Sequence, residues 1–582
     1  MNFVFRLRLV FSLVIVVSLG VIFRLSYWQI GSSARLSALA DAQHFSIFEI
    51  PAQRGEIKAA DNTNLVTNRQ SNLLFANLTQ IKRPPEEIAS ALAPILVETI
   101  PIIATDSSKE KKEKEINQSL TRLLSGQDVA WVALYHKIDD QIKNKINDLK
   151  ILGLEFAPET DRYYPEASMS AHLLGIVGSD QNGSPRGYFG LEGFYNRELA
   201  GRPGLRRVER DAIGRPIAIG YDTTVIPQDG RTLITSIDRY VQKIAENYLT
   251  EGIKTWGALS GSVIVMEPAT GRILAMVSLP AFDPVNFSYY PQKLFQNPAI
   301  SQTYEPGSIF KPLIMAAAIN ENKVAPQTVC DQCSGPKLIE GGVIRTFNDQ
   351  YHPGTTMTEV LQNSDNTGMV FVGEKLGKEN LLNYLKKYDL ANKTGIDLEG
   401  EEAAVMKKSD QWYPLDLATV TFGQGIATTP IQVIRAFAAI ANGGFLVTPQ
   451  IVTKIVGSDR SVEIKPKIGP RILKPETTRT LTEILVSVTE KSPLHFPRDR
   501  TPDLDKFKIA AKSGTAQIPI SGHYEQNKTI GSVIGYAPAD NPKFLILVKM
   551  DEPAVRIWGS DTAGPIFFNL VHDLLLYYNI SP

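Results

Sequence analysis

Glu305-Pro306-Gly307-Ser308-Ile309-Phe310-Lys311-Pro312 opens onto the apolar stretch Leu313-Ile314-Met315-Ala316-Ala317-Ala318. The Pro-Gly pair stops the preceding structure, and the apolar run reads as a buried helix with Ser308 near its N-terminus. Pro312 fits a helix only in its first turn, where its missing N–H costs nothing. Positions i and i+3 share a helix face, so Lys311 is expected to point the same way as Ser308. A serine hydroxyl is a weak nucleophile until a neighbouring base takes its proton. A lysine is that base only when neutral, well below its reference pKa of about 10.4. Burial and a second nearby cation both push it there.

The S-x-x-K pattern also occurs at Ser108–Lys111 and Ser334–Lys337. The first lies in the charged run from Ser107 to Glu115, which reads as a solvated face. The second contains Gly335-Pro336, which keeps its Ser and Lys from sharing a helical turn. Ser364-Asp365-Asn366 interrupts two apolar runs and reads as a turn. Lys512-Ser513-Gly514-Thr515 follows Phe507-Lys508-Ile509-Ala510-Ala511, where strand alternation begins. Small residues there leave room for a peptide to lie alongside as an added strand. The apolar run Phe544–Val548 is expected to be the neighbouring strand. A second copy of the motif, Lys393-Thr394-Gly395, sits in a polar stretch that looks like a surface connection.

In that order, Ser308/Lys311, Ser364/Asn366 and Lys512–Thr515 match the S-x-x-K, S-D-N, K-T-G set of penicillin-binding proteins and serine β-lactamases. Beyond these motifs, the chain resembles class B penicillin-binding proteins almost end to end. Met266 to Met276 and Phe282-Asp283-Pro284 resemble the opening of the transpeptidase domain, and Phe422-Gly423-Gln424-Gly425 a motif near the cleft. Arg162-Tyr163-Tyr164-Pro165, His172 to Gly175, Gly190 to Gly193 and Glu209 to Arg215 resemble the non-catalytic pedestal. Two departures stand out: Ile309 occupies a position more often Thr, and the turn after Arg54-Gly55-Glu56-Ile57 is offset.

The resemblance implies a multidomain α+β chain. It comprises a cytoplasmic tail (1–8), a transmembrane anchor (9–30), a pedestal of dimerisation type (31–230) and a transpeptidase domain (231–582). The last is expected to be a β-lactamase-like mixed sheet flanked by helices. The implied reaction is D,D-transpeptidation of peptidoglycan stem peptides ending in D-Ala-D-Ala, blocked covalently by β-lactams. In it Ser308 attacks, Lys311 takes its proton, and Ser364 and Lys512 relay a proton to the departing D-Ala. Asn366 holds the substrate amide, and Ser513, Gly514 and Thr515 line the substrate strand. The backbone N–H groups of Ser308 and Thr515 form the oxyanion hole, and Thr515 and Lys512 hold the terminal carboxylate. No cofactor or metal is implied. A separate SEDS-type glycan polymerase and division proteins are the implied partners. The end of the chain, from Asp551 through Phe567, resembles septal proteins more than elongation-specific ones, with a helix expected over Phe567 to Tyr578. An elongation role, a D,D-carboxypeptidase, a β-lactamase and a β-lactam-binding scaffold are the alternatives.

The rest of the sequence agrees. Leu9 to Phe23 is apolar apart from Ser12 and Ser18, and residues 9–30 are long enough to span a bilayer if Arg24 snorkels. Arg6 and Arg8 put the N-terminal flank in the cytoplasm, and everything after residue 30 outside it. Ala38-Leu39-Ala40 resembles a signal-peptidase site but lies far beyond the apolar core, which favours an uncleaved anchor. The 582 residues exceed what one core needs. With Lys+Arg and Asp+Glu equal at 61 each, nothing suggests a nucleic-acid partner. Residues 84–150 carry helical spacing and many charges and read as a mixed insertion. Cys330 and Cys333 read as a local disulfide or two free thiols, since one C-x-x-C supplies at most half of a four-ligand zinc site.

Overall fold

The computed structural model describes residues 3–100, 109–126, 129–166, 169–181, 183–209, 217, 222–346, 349–491, 502–520 and 523–582. Ser108 and residues 210–215 of the last pedestal motif lie outside the described residues. The chain divides into two compact units, Met1–Arg54 with Ala200–Gly230, and Gly55–Leu199 with Arg231–Pro582.

The first unit carries the apolar N-terminal helix α1 (Phe3–Ser26), which continues as a π-helical turn, Tyr27–Gly31. Together they form one helix long and apolar enough to cross a membrane, with none of its side chains buried. The Arg24 guanidinium lies 5.3 Å from the Trp28 ring centroid, so the one charge late in the helix rests on an aromatic ring. Helix α2 (Ser33–His44) follows and contains Ala38-Leu39-Ala40. A three-stranded antiparallel sheet, Phe45–Ile50, Gly204–Glu209 and Asp222–Val225, completes the unit.

In the second unit, the strand Asn64–Asn77 pairs on its two sides with Trp131–Ile138 and Leu154–Tyr163. The charged stretch of residues 84–150 supplies the helices Pro85–Leu96, Lys109–Leu124 and Asp140–Asp148, whose apolar stripes bury against this sheet. Arg162 and Glu192 form a buried ion pair here, Nε to Oε1 at 2.7 Å, and Arg162 Nη1 also reaches Asn68 Oδ1 at 2.8 Å. Thr232–Thr235 joins the same sheet, parallel to Ile57–Lys58 and antiparallel to Val452–Val456.

The second sheet of this unit has five strands: β1 (Ser260–Met266), β2 (Ile273–Leu279), β3 (Ala510–Ile520), β4 (His523–Ala537) and β5 (Phe544–Asp551). They lie in the order β2-β1-β5-β4-β3. All its pairings are antiparallel, which corrects the expected mixed sheet; the parallel pairing lies in the other sheet. The neighbour of β3 is also not the Phe544 run but β4, which pairs with it antiparallel. Gly531, Ser532 and Gly535 break up the apolar signal of β4, so its strand character is weak in the sequence.

Alternation assigns the two faces of this sheet. Val263, Val265, Ile546 and Val548 pack with helix α3 (Arg239–Trp256) and the C-terminal helix, while Ile264, Met266, Leu545 and Leu547 belong to the core containing the helix after Ser308. Asp238 caps helix α3, accepting from Tyr240 N and Val241 N at 3.0 and 3.2 Å, and Gly257 ends it in the left-handed conformation.

The buried Arg162–Glu192 pair yields a prediction. Glu192→Ala leaves the guanidinium buried without its counter-charge and destabilises this region by about 3–5 kcal/mol. Thermal and urea unfolding of the variant against the wild-type chain measure it.

Candidate active site

Pro306 leads into a 3-10 turn, Gly307–Phe310, and helix α4 (Lys311–Asn320) begins directly after it with Pro312 in its first turn. In a 3-10 turn residues i and i+3 eclipse, which carries the expected alignment of Ser308 with Lys311. Ser308 is half-buried and its hydroxyl has no hydrogen-bond partner among the described residues. Lys311 is fully buried. Its Nζ contacts the Ser364 carbonyl oxygen, Asn366 Oδ1 at 2.8 Å and Ser364 Oγ at 3.2 Å.

Ser364 sits at φ +54°, a left-handed conformation uncommon outside glycine. That kink turns both its carbonyl and its hydroxyl toward Lys311. Asp365 then caps helix α5 (Asn366–Leu376), accepting from Gly368 N at 3.1 Å and from the Thr367 hydroxyl at 2.8 Å. The Asn366 amide N–H donates to the Arg345 carbonyl at 3.1 Å, which fixes its Oδ1 toward Lys311. The turn reading of this motif was available from its residue types. The capping role of Asp365 needed the helix start, which the sequence marks only by the apolar run that follows.

Lys512 lies on β3, the edge strand of the five-stranded sheet, and is 1 % exposed. Its Nζ donates to the Ser513 carbonyl at 2.9 Å. Strand and nucleophile turn touch through backbone: a Cβ on Gly514 would lie 3.0 Å from Ile309 N and 2.9 Å from Ile309 Cγ2. Thr515 Oγ1 accepts from Gly559 N at 3.0 Å, at the start of helix α6 (Gly559–Tyr577), which leaves the hydroxyl hydrogen free to donate. Helix α6 thus begins earlier than the expected Phe567. Gly423, in the Phe422–Gly425 motif, accepts on its carbonyl from Gly307 N at 2.9 Å.

Neither lysine keeps its ordinary basicity. Burial holds Lys311 well below the usual lysine range, the charge of Lys512 adds to the effect, and Asp365 opposes it. Burial alone pushes Lys512 down to about 7. Two ammonium groups in one buried cleft repel, and among the described residues neither has a carboxylate in direct contact.

The other motif copies are placed elsewhere. Ser334 is exposed and Lys337 pairs with Glu374 at 3.0 Å. Lys393-Thr394-Gly395 is a loop as expected, but Thr394 is buried and its amide and hydroxyl both bond Glu401 Oε1 at 2.5 Å. Cys330 and Cys333 form a disulfide.

Residues 261–572 match the penicillin binding protein transpeptidase domain, and residues 49–235 the penicillin-binding protein dimerisation domain. The chain therefore belongs to the penicillin-binding proteins, of class B, and is a β-lactam-binding peptidoglycan D,D-transpeptidase. Stage V sporulation protein D of Bacillus subtilis is 32 % identical over 100 % of this chain and 87 % of its own length. The peptidoglycan D,D-transpeptidase FtsI of Escherichia coli is 28 % identical over 80 % of this chain and 76 % of its own. A solved structure of a peptidoglycan synthetase from Bifidobacterium adolescentis shares the fold, with TM-score 0.70 at 23 % identity, covering 92 % of this chain and 98 % of that one.

The buried lysines make a prediction independent of catalysis. Unfolded Lys512 is protonated up to about pH 10.4, whereas the folded residue releases its proton at about 7. Between those values stability falls as pH falls, because the unfolded state binds the extra proton. Lys512→Met removes that penalty. Its melting temperature should exceed the wild-type value at pH 7, and the gain should shrink as pH approaches 10; melts at both pH values test it.

Proposed function

We propose that Ser308 is the acylated nucleophile and Lys311 its base. The observation that carries this reading is the position of Lys311 Nζ, buried and held between Ser364 and Asn366. A neutral amine has two hydrogens and one lone pair. Donating the hydrogens to the Ser364 carbonyl and Asn366 Oδ1 leaves the lone pair to take a hydroxyl proton. Ser308 Oγ attacks the penultimate D-Ala carbonyl, the C–N bond to the last D-Ala breaks, and the departing amine receives a proton through Ser364 and Lys512. The acyl group then passes to an acceptor amine. Asn366 orients the substrate amide, and the N–H groups of Ser308 and Thr515 receive the oxyanion, where losing one donor costs about 10²–10³ in rate. Ser513, Gly514 and Thr515 line the strand that the peptide follows, and the Thr515 hydroxyl with Lys512 receives the carboxylate.

The same reading assigns residues 1–8 to the cytoplasm, 9–30 to the membrane, 31–230 to the pedestal and 231–582 to the extracytoplasmic transpeptidase domain. The apolar α1 and the family matches at 49–235 and 261–572 support it. A SEDS-type glycan polymerase and division proteins are its partners, docking on the span and pedestal. The cellular role is cross-linking at the division septum, supported by the septal resemblance of residues 551–567 and by FtsI among the relatives. The 32 % identity to stage V sporulation protein D favours a second reading, cross-linking in a spore wall.

Mass spectrometry after penicillin treatment is expected to find the adduct on Ser308; an adduct on Ser334 or Ser108 would sink the assignment. A fluorescent fusion is expected at midcell, with filamentation on depletion. Localisation to the lateral wall contradicts the septal role, and enrichment only in sporulating cells favours the second reading.

A further inference from the structure

Glu305 stands three residues before Ser308, and no step above uses it. Its carboxylate accepts from Gly425 N at 2.9 Å through Oε1 and from the Tyr524 hydroxyl at 3.1 Å through Oε2, with the same hydroxyl 3.3 Å from Oε1. Gly425 belongs to the loop whose Gly423 carbonyl already holds Gly307 N. Tyr524 belongs to β4 and pairs across the β3–β4 hairpin with Pro519, a few residues beyond Thr515. One side chain therefore ties together the nucleophile turn, the 422–425 loop and the tip of the hairpin whose first strand carries Lys512.

We propose that Glu305 is a positioning residue that locks the β3–β4 hairpin and the 422–425 loop onto the Ser308 turn. The residue type suits the task. An ionised carboxylate is acceptor-only, and both of its partners here are donors. Such charge-assisted hydrogen bonds are stronger than neutral ones. Burial raises the Glu305 pKa, and the Gly425 and Tyr524 donors counter that shift. The Ser308 turn packs on β3 through Ile309 at Gly514, which carries no side chain of its own to key the strand to the turn. The Glu305 clamp supplies that key from the hairpin end. Releasing it shifts the Thr515 N–H relative to Ser308 and slows acylation more than it weakens binding.

This inference rests on Ser308 being the acylated residue, and stopped-flow labelling of the full chain by a fluorescent penicillin tests the two separately. Absence of wild-type labelling overturns that assignment and the clamp with it. With wild type labelled, Tyr524→Phe is expected to lower the acylation rate at saturating penicillin by about tenfold, as loss of a charge-assisted hydrogen bond does, and Glu305→Ala, which also releases Gly425, by at least as much. The penicillin dissociation constant should stay nearly unchanged. The double variant should be no slower than Glu305→Ala alone, since that change already leaves the Tyr524 hydroxyl without its acceptor. Glu305→Gln, which keeps an acceptor for Gly425, should recover part of the rate. Tyr524→Phe removes only a hydroxyl from a partly exposed ring, so its result stands even if Glu305→Ala folds poorly. A wild-type rate in Tyr524→Phe, or strictly additive losses in the double variant, overturns the clamp.

Discussion

Two lysine side chains buried in the same cleft cannot both stay charged. Lys311 and Lys512 are both buried, and no carboxylate touches either ammonium among the described residues. Desolvation and mutual repulsion act in the same direction, so the cleft favours the unprotonated amine. What a soluble fold would avoid becomes useful here, because a neutral lysine beside a serine is a base. The surrounding architecture keeps this arrangement dry. Helix α4 is buried at every position except the half-buried Ile319, β3 closes one side, and the Ser364 kink presents a carbonyl and a hydroxyl where an acidic side chain would have restored the charge.

Backbone contact does the rest. At Gly514 a single methyl group would meet Ile309, and at Gly423, with φ +78°, a Cβ would fall 2.2 Å from the Gly307 carbonyl oxygen. Strand, nucleophile turn and loop approach as closely as peptide groups can. Side chains then fix what the backbone leaves free. The Thr515 hydroxyl ties β3 to helix α6, Asn366 is oriented from its other end by the Arg345 carbonyl, and Asp365 anchors the helix that carries it. The site is a set of short segments from distant parts of the chain, each held by its own local device.

That division explains what the sequence could reveal. Ser308 and Lys311 were legible because a Pro-Gly break, a lysine three residues on and an apolar run are all local signals. The choice of Lys512 over Lys393 rested on neighbouring strand alternation, also local. The order of strands was not: β4 hides behind glycines and serines that exist because β3 and helix α6 press close, a tertiary reason invisible in a strand pattern. The parallel pairing of Ile57–Lys58 with Thr232–Thr235 depends on contacts more than 170 residues apart, and β1 meets β5 by pairing Ser260 with Asp551. The contacts of Glu305 are hidden from the sequence for the same reason, since its partners Gly425 and Tyr524 lie 120 and 219 residues away.

The central claim is that Lys311 is neutral at the pH where the enzyme works. The pH dependence of acylation by a fluorescent penicillin tests it most directly. The account predicts a rate already high near neutral pH that falls on acidification, as Lys311 takes up a proton. It also predicts a decline above about 7, where Lys512 loses the charge that receives the carboxylate. A rate that stays low at neutral pH and rises only toward the ordinary lysine range, about 10.4, would contradict it.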